Sequence, residues 1–396
     1  MKRALIPSTE SPGQRLKIAV LIRRFVTTGG AERYAVEVAR RLAVKHDVHV
    51  FAQEWELDGN ENIVFHEIPK FFTKPRFLNQ LIFSYFTRRA VDESFDIVHT
   101  HERVTSFDVL TVHCHCFRSI LTERGGFWGQ MWTWLSVSIS PRKMAYLWLE
   151  KRQFSHHQER MLVAVSENIK RDVQTYYPLP DEYFGIAYPG VDLVRIENTE
   201  DENRRKILRT ELGLGEDDVV ILFVGTEFKR KGLDALLQGF ARLDRSDMKL
   251  IIAGGGEQKD YIKMASGLNI EQDVIFLGLV KEMTEIYVIS DIYVLPTLCD
   301  PAGMAPLEAM SLGVPTIMSS SEFAGISEHI TDEALILADP RNASEIADAI
   351  SKLMNEELRM ELSEKGCKFV KNFTWQRTTE DTLSIYFKVL ELKKLN

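Results

Sequence analysis

Long apolar segments are missing from this chain of 396 residues. No run reaches the roughly 18 apolar residues that a membrane-spanning helix needs. The opening stretch MKRALIPSTESPGQRLK also lacks the long apolar core of a signal peptide. Four cysteines are too few for a disulfide framework in a chain of this length, which favours a reducing compartment. We therefore expect a cytoplasmic protein without a transmembrane helix.

Positive charge is in short supply over the chain as a whole. The 57 acidic residues outnumber the 49 Lys and Arg residues, giving a net charge of −8. This balance argues against general nucleic-acid binding. The hydrophobic content of 45% and the charged content of 27% are ordinary for a globular protein. The length is right for two domains.

One stretch, LPTLCDPAGMAPLEAMSLGVPTIMSS from Leu295 to Ser320, organises the chain. A strand end leads into a loop with Asp300 and Gly303, and a helix follows from about Pro306 to Leu312. In a parallel sheet, ligands bind at the carboxyl ends of strands, and a helix N-terminus there attracts phosphate. Asp300 and Glu308 would then flank an anion site, where carboxylates can bind sugar hydroxyls of the same ligand.

A basic turn follows the strand VVILFV, in the sequence GTEFKRKG that begins at Gly225. Arginine offers a fork to phosphate oxygens and lysine offers a point charge. Strand, glycine, basic cluster and helix therefore predict a phosphate site at Arg230 and Lys231. The alternative is a solvated basic turn with no ligand.

The first half of the chain has its own glycine turn and its own histidines. Gly29 and Gly30 lie between a buried strand and a helix, where they allow a tight turn. The strand VLTVHCHC, from Val109 to Cys116, would place His113 and His115 on one face and the two cysteines on the other. Zinc ligands must converge on one point, so this alternation argues against a zinc site. His113 could instead be a buried, hydrogen-bonded histidine or a binding residue.

Residues 117–157 combine aromatic and basic side chains. Four of the six tryptophans and six Lys or Arg residues fall here, with only two acids. Such interleaving in an acidic chain favours a surface for anionic lipid, and the alternative is an ordinary core. The residues assigned to this membrane surface are Trp128, Trp132, Trp134, Arg142 and Lys143.

These motifs resemble the retaining glycosyltransferases of family 4, which have the GT-B fold. DPAGMAPLEAMSLGVPT, from Asp300, matches the family's E-x7-E motif with aspartate in place of the first glutamate. GGAER, the K-G step after Arg230, the triple glycine from Gly254 and the acid Glu328 match further family elements. The VGTEFKRKG stretch and the aromatic insert are similar to the lipopolysaccharide core glucosyltransferases. Many members have arginine where Thr226 stands, and this chain lacks that contact.

The resemblance implies an α/β fold of two doubly wound, Rossmann-like domains facing across a cleft, with a C-terminal helix crossing back to the first domain. Residues 1–190 and 373–396 would form the acceptor-binding domain, and residues 191–372 the nucleotide-sugar-binding domain. Asp300 and His113 would contact the donor sugar, Glu308 the ribose, and Arg230 with Lys231 the diphosphate. The remaining donor-binding residues would be Gly29, Gly30, Gly225, Val280, Gly303, Met304, Ala305 and Glu328.

The expected function is retaining transfer of a hexose, with UDP-glucose as the first choice of donor, to a membrane-associated glycan or lipid such as lipopolysaccharide core. Neither a metal nor a cofactor is expected beyond the substrate nucleotide sugar, because the cations replace a metal. We expect peripheral contact with the inner face of the plasma membrane. Two alternatives stay open: another GT-B enzyme such as a sugar-nucleotide epimerase, and a catalytically silent, nucleotide-binding membrane scaffold.

Overall fold

The computed structural model describes residues 15–56, 62–122, 132, 135–155, 157–193 and 202–395. The chain forms two compact units. The first runs to Tyr188 and takes back the C-terminal segment from Trp375, and the second is Pro189–Thr374. Both boundaries lie two residues from those that the sequence predicts.

The first unit is built on a parallel sheet of seven strands in the order β5-β3-β1-β6-β7-β8-β9. These strands are β1 (Lys17–Leu21), β3 (Asp47–Ala52), β5 (Ile63–Glu67), β6 (Ile97–Thr100), β7 (Val109–Val112), β8 (Met161–Ala164) and β9 (Phe184–Ile186), and the short β2 (Arg24–Phe25) and β4 (Glu54–Trp55) pair separately. Its helices are α1 (Gly30–Leu42), α2 (Arg76–Ala90), α3 (Phe117–Thr122), α4 (Pro141–Gln153), α5 (Glu167–Tyr176) and the C-terminal Trp375–Leu395.

The second unit repeats this plan with six parallel strands in the order β12-β11-β10-β13-β14-β15. The strands are β10 (Val219–Val224), β11 (Met248–Ala253), β12 (Val274–Gly278), β13 (Ile292–Leu295), β14 (Thr316–Ser319) and β15 (Leu335–Leu337). The helices are α6 (Glu202–Glu211), α7 (Leu233–Ala241), α8 (Lys259–Gly267), α9 (Met283–Val288), α10 (Met304–Ser311), α11 (Ala343–Lys352) and α12 (Glu356–Val370), and Trp375–Leu395 of the first unit is α13.

Strand order explains where sites form in each unit. In each sheet the second and third strands along the chain lie on one side of the first strand, and the fourth lies on its other side. The direction of winding therefore reverses between β1 and β6 in the first sheet and between β10 and β13 in the second. Apolar runs such as VVILFV make both faces of these strands buried. In a doubly wound sheet the crevice at the reversal, outside the carboxyl ends of the strands, is the usual ligand site. The loops after β10 and β13 share this position in the second unit.

The C-terminal helix that the resemblance implies is present. It is α13, and it packs against α1, β8 and β9 of the first unit. Among the other helices, α5 begins after Ser166, whose hydroxyl accepts from Ile169 N at 3.4 Å as its cap.

One strand prediction is wrong in detail. The strand predicted over Val109–Cys116 ends at Val112, so alternation does not place His113 and His115 on one face. Helices α11 and α12 are separate, and Asn355 begins the second by accepting from Leu358 N at 2.9 Å. The elements β5 and α2 have no counterpart in the sequence interpretation.

Candidate functional site

Two loops meet at the winding reversal of the second sheet. The loop after β10 carries Arg230 and Lys231, and the loop after β13 carries residues 296–303. The carbonyl oxygen of Arg230 accepts from Leu298 N at 2.8 Å and from the Thr297 hydroxyl at 3.3 Å. Gly232 has a φ of +78°, and a Cβ there would lie 1.8 Å from the Pro296 carbonyl oxygen. The backbones therefore approach closely enough to place both predicted sets of residues together.

Lys231 and Asp300 are direct partners. The Lys231 ammonium lies 2.8 Å from Asp300 Oδ2, and both side chains are largely buried. Asp300 Oδ1 also accepts from Gly303 N at 3.2 Å. Burial alone would raise the pKa of Asp300, but the Lys231 charge and these hydrogen bonds hold that pKa below its ordinary value. An ionised carboxylate has about four lone-pair sites, so Asp300 retains acceptor capacity for ligand hydroxyls.

Arg230 lies beside this pair. Its guanidinium binds Glu227 Oε2 at 2.6 Å and also donates to the Cys299 carbonyl oxygen. Burial works against the charged form, yet the Glu227 carboxylate keeps the Arg230 pKa above its ordinary value. The guanidinium is thus held in one orientation and stays charged. A fixed guanidinium beside an ammonium suits a ligand with two neighbouring phosphates.

Helix α10 begins where these cations converge. Its N-cap, Gly303, has a φ of +72°, and a Cβ there would lie 2.3 Å from the Ile326 side chain. Met304 and Ala305 form the first turn, whose backbone N–H groups have no intrahelical acceptor. Glu308 lies one turn further on, where its Oε2 accepts from the Tyr287 hydroxyl at 3.1 Å. The site therefore combines two cations, helix amides and two carboxylates.

The other predicted donor residues of the second unit also follow strands of its sheet. Gly225 follows β10, and a side chain there would crowd Lys231, because a Cβ would lie 3.0 Å from Lys231 Cγ. Val280 follows β12 and is half-buried. Glu328 is in a short 3-10 helix, Gly325–His329, after β14. The structure places all three at or after carboxyl ends of strands of the same sheet.

The predicted residues of the first unit also follow strand ends. Gly29 has a φ of +104° and its carbonyl oxygen accepts from Arg33 N at 3.0 Å, so it turns the chain from β2 into α1, which begins at Gly30. His113 follows β7, and its Nε2 shares a hydrogen bond of 2.9 Å with His101 Nδ1. Burial lowers the pKa of His113 to about 3, so its imidazole is neutral at pH 7. His115 instead lies 3.3 Å from Asp172.

Known proteins with similar sequences share this plan over most of the chain. A model described as "Glycosyltransferase Family 4" matches residues 28–195, and one described as "Glycosyl transferases group 1" matches residues 204–369. An uncharacterized glycosyltransferase of Methanocaldococcus jannaschii is 26% identical over 88% of this chain and 91% of its own. Lipopolysaccharide glucosyltransferase WaaG of Escherichia coli is 22% identical over 88% of this chain and 92% of its own.

Solved structures agree with this relationship. The crystal structure of WaaG matches with a TM-score of 0.81 at 22% identity, covering 93% of this chain and 99% of WaaG. Anabaena HepE, solved with UDP and glucose, matches with a TM-score of 0.70 at 16% identity, covering 94% of this chain and 99% of its own. The chain is a family 4 glycosyltransferase with the GT-B fold. The prediction of family and of fold class is confirmed.

The aromatic insert of this glycosyltransferase is partly outside the described residues. Trp128 and Trp134 lie there, and Trp132 is 65% exposed. Arg142 is exposed on α4, and Lys143 Nζ donates to the Ser136 hydroxyl at 2.6 Å. Glu150, one of the two acids of the segment, is buried and accepts from Arg118 N and the Tyr177 hydroxyl. Within the described residues of the insert, the exposed charged side chains are therefore basic.

Sequence reasoning did not name the residues that hold the predicted ones in place. Tyr287 binds Glu308 and belongs to no motif of the sequence. Glu227 lies inside the basic turn GTEFKRKG, and in the first unit His101 follows the strand beside that of His113, but neither was assigned as a site residue. No group of three or more His, Cys, Asp or Glu in the described part of the chain is arranged to hold a metal ion. No helix there is long and apolar enough to cross a bilayer.

Proposed function

We propose that this glycosyltransferase moves a hexose from a nucleoside diphosphate sugar to a membrane-held glycan or glycolipid, with UDP-glucose as the first donor to test and lipopolysaccharide core as the first acceptor class. The observation that carries the proposal is the convergence of Arg230, Lys231 and the first turn of α10 at the winding reversal of the second sheet. Supporting it, a similar protein is named lipopolysaccharide glucosyltransferase, and HepE was solved with UDP and glucose.

The proposed chemistry is displacement of the diphosphate at the sugar C1. The bond from C1 to the phosphate oxygen breaks, the acceptor oxygen bonds to C1 on the same face, and the acceptor proton passes to the diphosphate. Arg230, Lys231 and the amides of residues 303–305 stabilise the departing negative charge, so this proposal needs no metal ion. The transition state is oxocarbenium-like, as in glycoside chemistry generally.

The carboxylates and His113 would orient the donor. Glu308 binds the ribose hydroxyls, and Asp300 uses its remaining acceptor capacity for hydroxyls of the sugar. His113, a neutral imidazole, makes one further hydrogen bond to the sugar. Val280 lies beside the base, while Gly225 and Gly303 leave room for the ligand to approach the backbone. The two glycines Gly29 and Gly30 serve the same purpose in the first unit.

The first experiment is thermal unfolding with a panel of nucleotides and nucleotide sugars. A ligand that binds only the folded state raises the melting temperature by mass action. We expect a shift with UDP and UDP-hexose that Lys231→Ala abolishes. Lys249→Ala is the matched control, because this variant also removes a lysine from a salt bridge. Lys249 Nζ lies 2.5 Å from Asp273 Oδ1, in another part of the second unit. No shift with any nucleotide would contradict the proposal.

Turnover then separates an enzyme from a silent scaffold. Release of UDP from UDP-glucose in the presence of a lipopolysaccharide core acceptor would support transfer, and the anomeric configuration of the product tests retention. Nucleotide binding without turnover on a panel of acceptors would favour the scaffold. Interconversion of free nucleotide sugars would favour an epimerase.

We also propose that the aromatic insert contacts anionic lipid at the inner face of the plasma membrane. The large apolar side chains of the insert that are at least 48% exposed are Ile120, Trp132, Leu135, Ile139, Met144 and Trp148. Arg152 lies over the Trp148 ring at 5.3 Å, and Arg142 is exposed nearby on α4. Exposed aromatics beside cations are the composition of interfacial surfaces.

A further inference from the structure

Tyr287 supports the second acid of the motif from inside the protein. It lies on α9, is 1% exposed, and its hydroxyl donates to Glu308 Oε2 at 3.1 Å. The same hydroxyl lies 3.4 Å from the Ala305 carbonyl oxygen, in the first turn of α10. Tyr287 therefore contacts both the carboxylate and the backbone of the helix that carries it.

Tyr293 is a close counterpart that makes no such contact. It lies on β13, is 0% exposed, and its ring centroid is 6.0 Å from that of Tyr287. Burial raises the pKa of Tyr293 above its ordinary value, and the negative charges of Asp300 and Glu308 raise that pKa further. Within the described residues its hydroxyl has no hydrogen-bond partner. The two tyrosines thus share one environment but differ in one hydrogen bond.

We infer that Tyr287 is a positioning residue that fixes the Glu308 carboxylate for the ribose of the nucleotide. This rests on the proposed function, in which Glu308 binds the ribose hydroxyls. Tyr287 would act on affinity for ligands that contain ribose and leave the phosphate contacts of Arg230 and Lys231 unchanged.

The physical reason is preorganisation. A glutamate side chain has three rotatable bonds, and holding it in one rotamer on binding costs free energy. The bond from Tyr287 fixes one carboxylate oxygen before the ligand arrives, while the carboxylate keeps lone pairs for two adjacent hydroxyls. The half-buried position of Glu308 strengthens this bond, because water competes less there.

The test is titration calorimetry of the full chain with UDP and with pyrophosphate, which has the phosphates but no ribose. Tyr287→Phe should weaken UDP binding about ten-fold, the loss expected for one hydrogen bond to a charged group. Pyrophosphate binding should stay within about two-fold of wild type. Tyr293→Phe is the matched control and should change neither, because in the described part of the chain its hydroxyl makes no hydrogen bond that could be lost.

Two further measurements separate positioning from folding. With 2′,3′-dideoxy-UDP, the difference between wild type and Tyr287→Phe should vanish. In a Glu308→Ala background, adding Tyr287→Phe should cause no further loss of UDP affinity. If Tyr287→Phe unfolded the protein in this background, pyrophosphate binding would also become weaker.

The outcomes are distinct. If wild type binds UDP and Tyr287→Phe binds it equally well, the inference is overturned while the proposed function stands. Equal weakening of UDP and pyrophosphate would also overturn it, since that indicates a general structural role. If wild type binds pyrophosphate but gains nothing from the nucleoside, or binds neither ligand, the proposed function fails and the inference fails with it.

Discussion

At the scale of single residues, the shorter acid of the motif has a double task. Asp300 pairs with Lys231 and accepts from Gly303 N, so it ties the lysine of the proposed phosphate site to the start of α10. Aspartate is one methylene shorter than the glutamate of the family pattern. The residue is only 7% exposed among these partners. Contacts inside the protein therefore use part of the acceptor capacity of Asp300.

Asp300→Asn should destabilise the protein, because it leaves the largely buried Lys231 charge without a partner. Breaking such a pair costs about 3 kcal/mol at pH 7. The Asp300 pKa is lowered on folding, so its stabilising effect is present above the unfolded pKa of about 3.9 and is lost as pH falls through the folded value. Urea unfolding should show the difference between variant and wild type shrinking in that acid range.

The control for this prediction is the exposed pair of Lys368 and Glu364, whose side chains are 74% and 73% exposed. Glu364→Gln should change stability little at any pH, because solvent screens exposed pairs. An Asp300→Asn variant as stable as wild type at pH 7 would contradict the role assigned to the pair.

At the scale of elements, the site depends on how closely two loops approach. The backbone of the loop after β10 touches that of the loop after β13 at Gly232 and Pro296, and only a residue without Cβ allows this. Arg230 contributes its carbonyl oxygen to the same junction. Backbone contact thus helps to set the position of the cations relative to α10, in addition to the Asp300 side chain.

Gly232→Ala should therefore destabilise the second unit severely. A positive φ costs an L-residue about 1 kcal/mol or more, and the new Cβ would also lie 1.8 Å from Pro296 O. Gly213→Ala is the matched control, since Gly213 has a φ of +70° with nothing within 4 Å of a Cβ. Urea unfolding should give a clearly larger loss for Gly232→Ala, and equal losses would show that the loops can move apart.

At the scale of the whole molecule, the first unit contains a buried cluster that should make the protein acid-sensitive. His99 bonds to Tyr386 of α13 at 2.6 Å and to Thr111 at 2.7 Å, and its ring lies beside that of His101. Burial, with His113 adding to it, lowers the pKa of His99 to about 3. The cluster joins the C-terminal helix to the sheet, and its burial favours the neutral form of His99.

Stability should fall as pH drops below about 6.5, the ordinary pKa of histidine in the unfolded chain. Below that pH, His99 is protonated in the unfolded state but stays neutral in the folded state until the pH nears 3. Urea unfolding of wild type and His99→Gln should be compared between pH 5 and pH 7, a range set by this window. The slope of the unfolding free energy against pH should be smaller in the variant than in wild type, by up to about 1.4 kcal/mol per pH unit. His157→Gln, at an exposed histidine, should leave the slope unchanged.

The proposed membrane contact also depends on a surface rather than on one residue. Replacing exposed Trp132 and Trp148 by serine should weaken binding to anionic vesicles. Arg142→Ala should weaken it about five-fold, from roughly 1 kcal/mol per cation near the surface. Serine at exposed Ile262 and Met360 of the second unit is the matched control. Binding that ignores both lipid charge and salt would contradict the proposal.

The sequence by itself determined the class of fold and predicted the main residues of the candidate site. Continuous apolar runs, glycine turns and a 17-residue motif are local features, so the order of residues along the chain is enough to assign Arg230, Lys231, Asp300 and Glu308 to one site. The second unit brings these residues together as expected, because parallel strands put successive loops at one edge.

Only the tertiary structure decided which residues support that site. The partners of Lys231, Glu308 and His113 are Asp300, Tyr287 and His101, and no pattern within one segment predicts these pairings. The sequence also did not predict that β7 ends at Val112, because the alternating pattern continues past the point where pairing with β8 stops. Contacts between elements depend on packing, and a pattern within one segment carries no record of its neighbours.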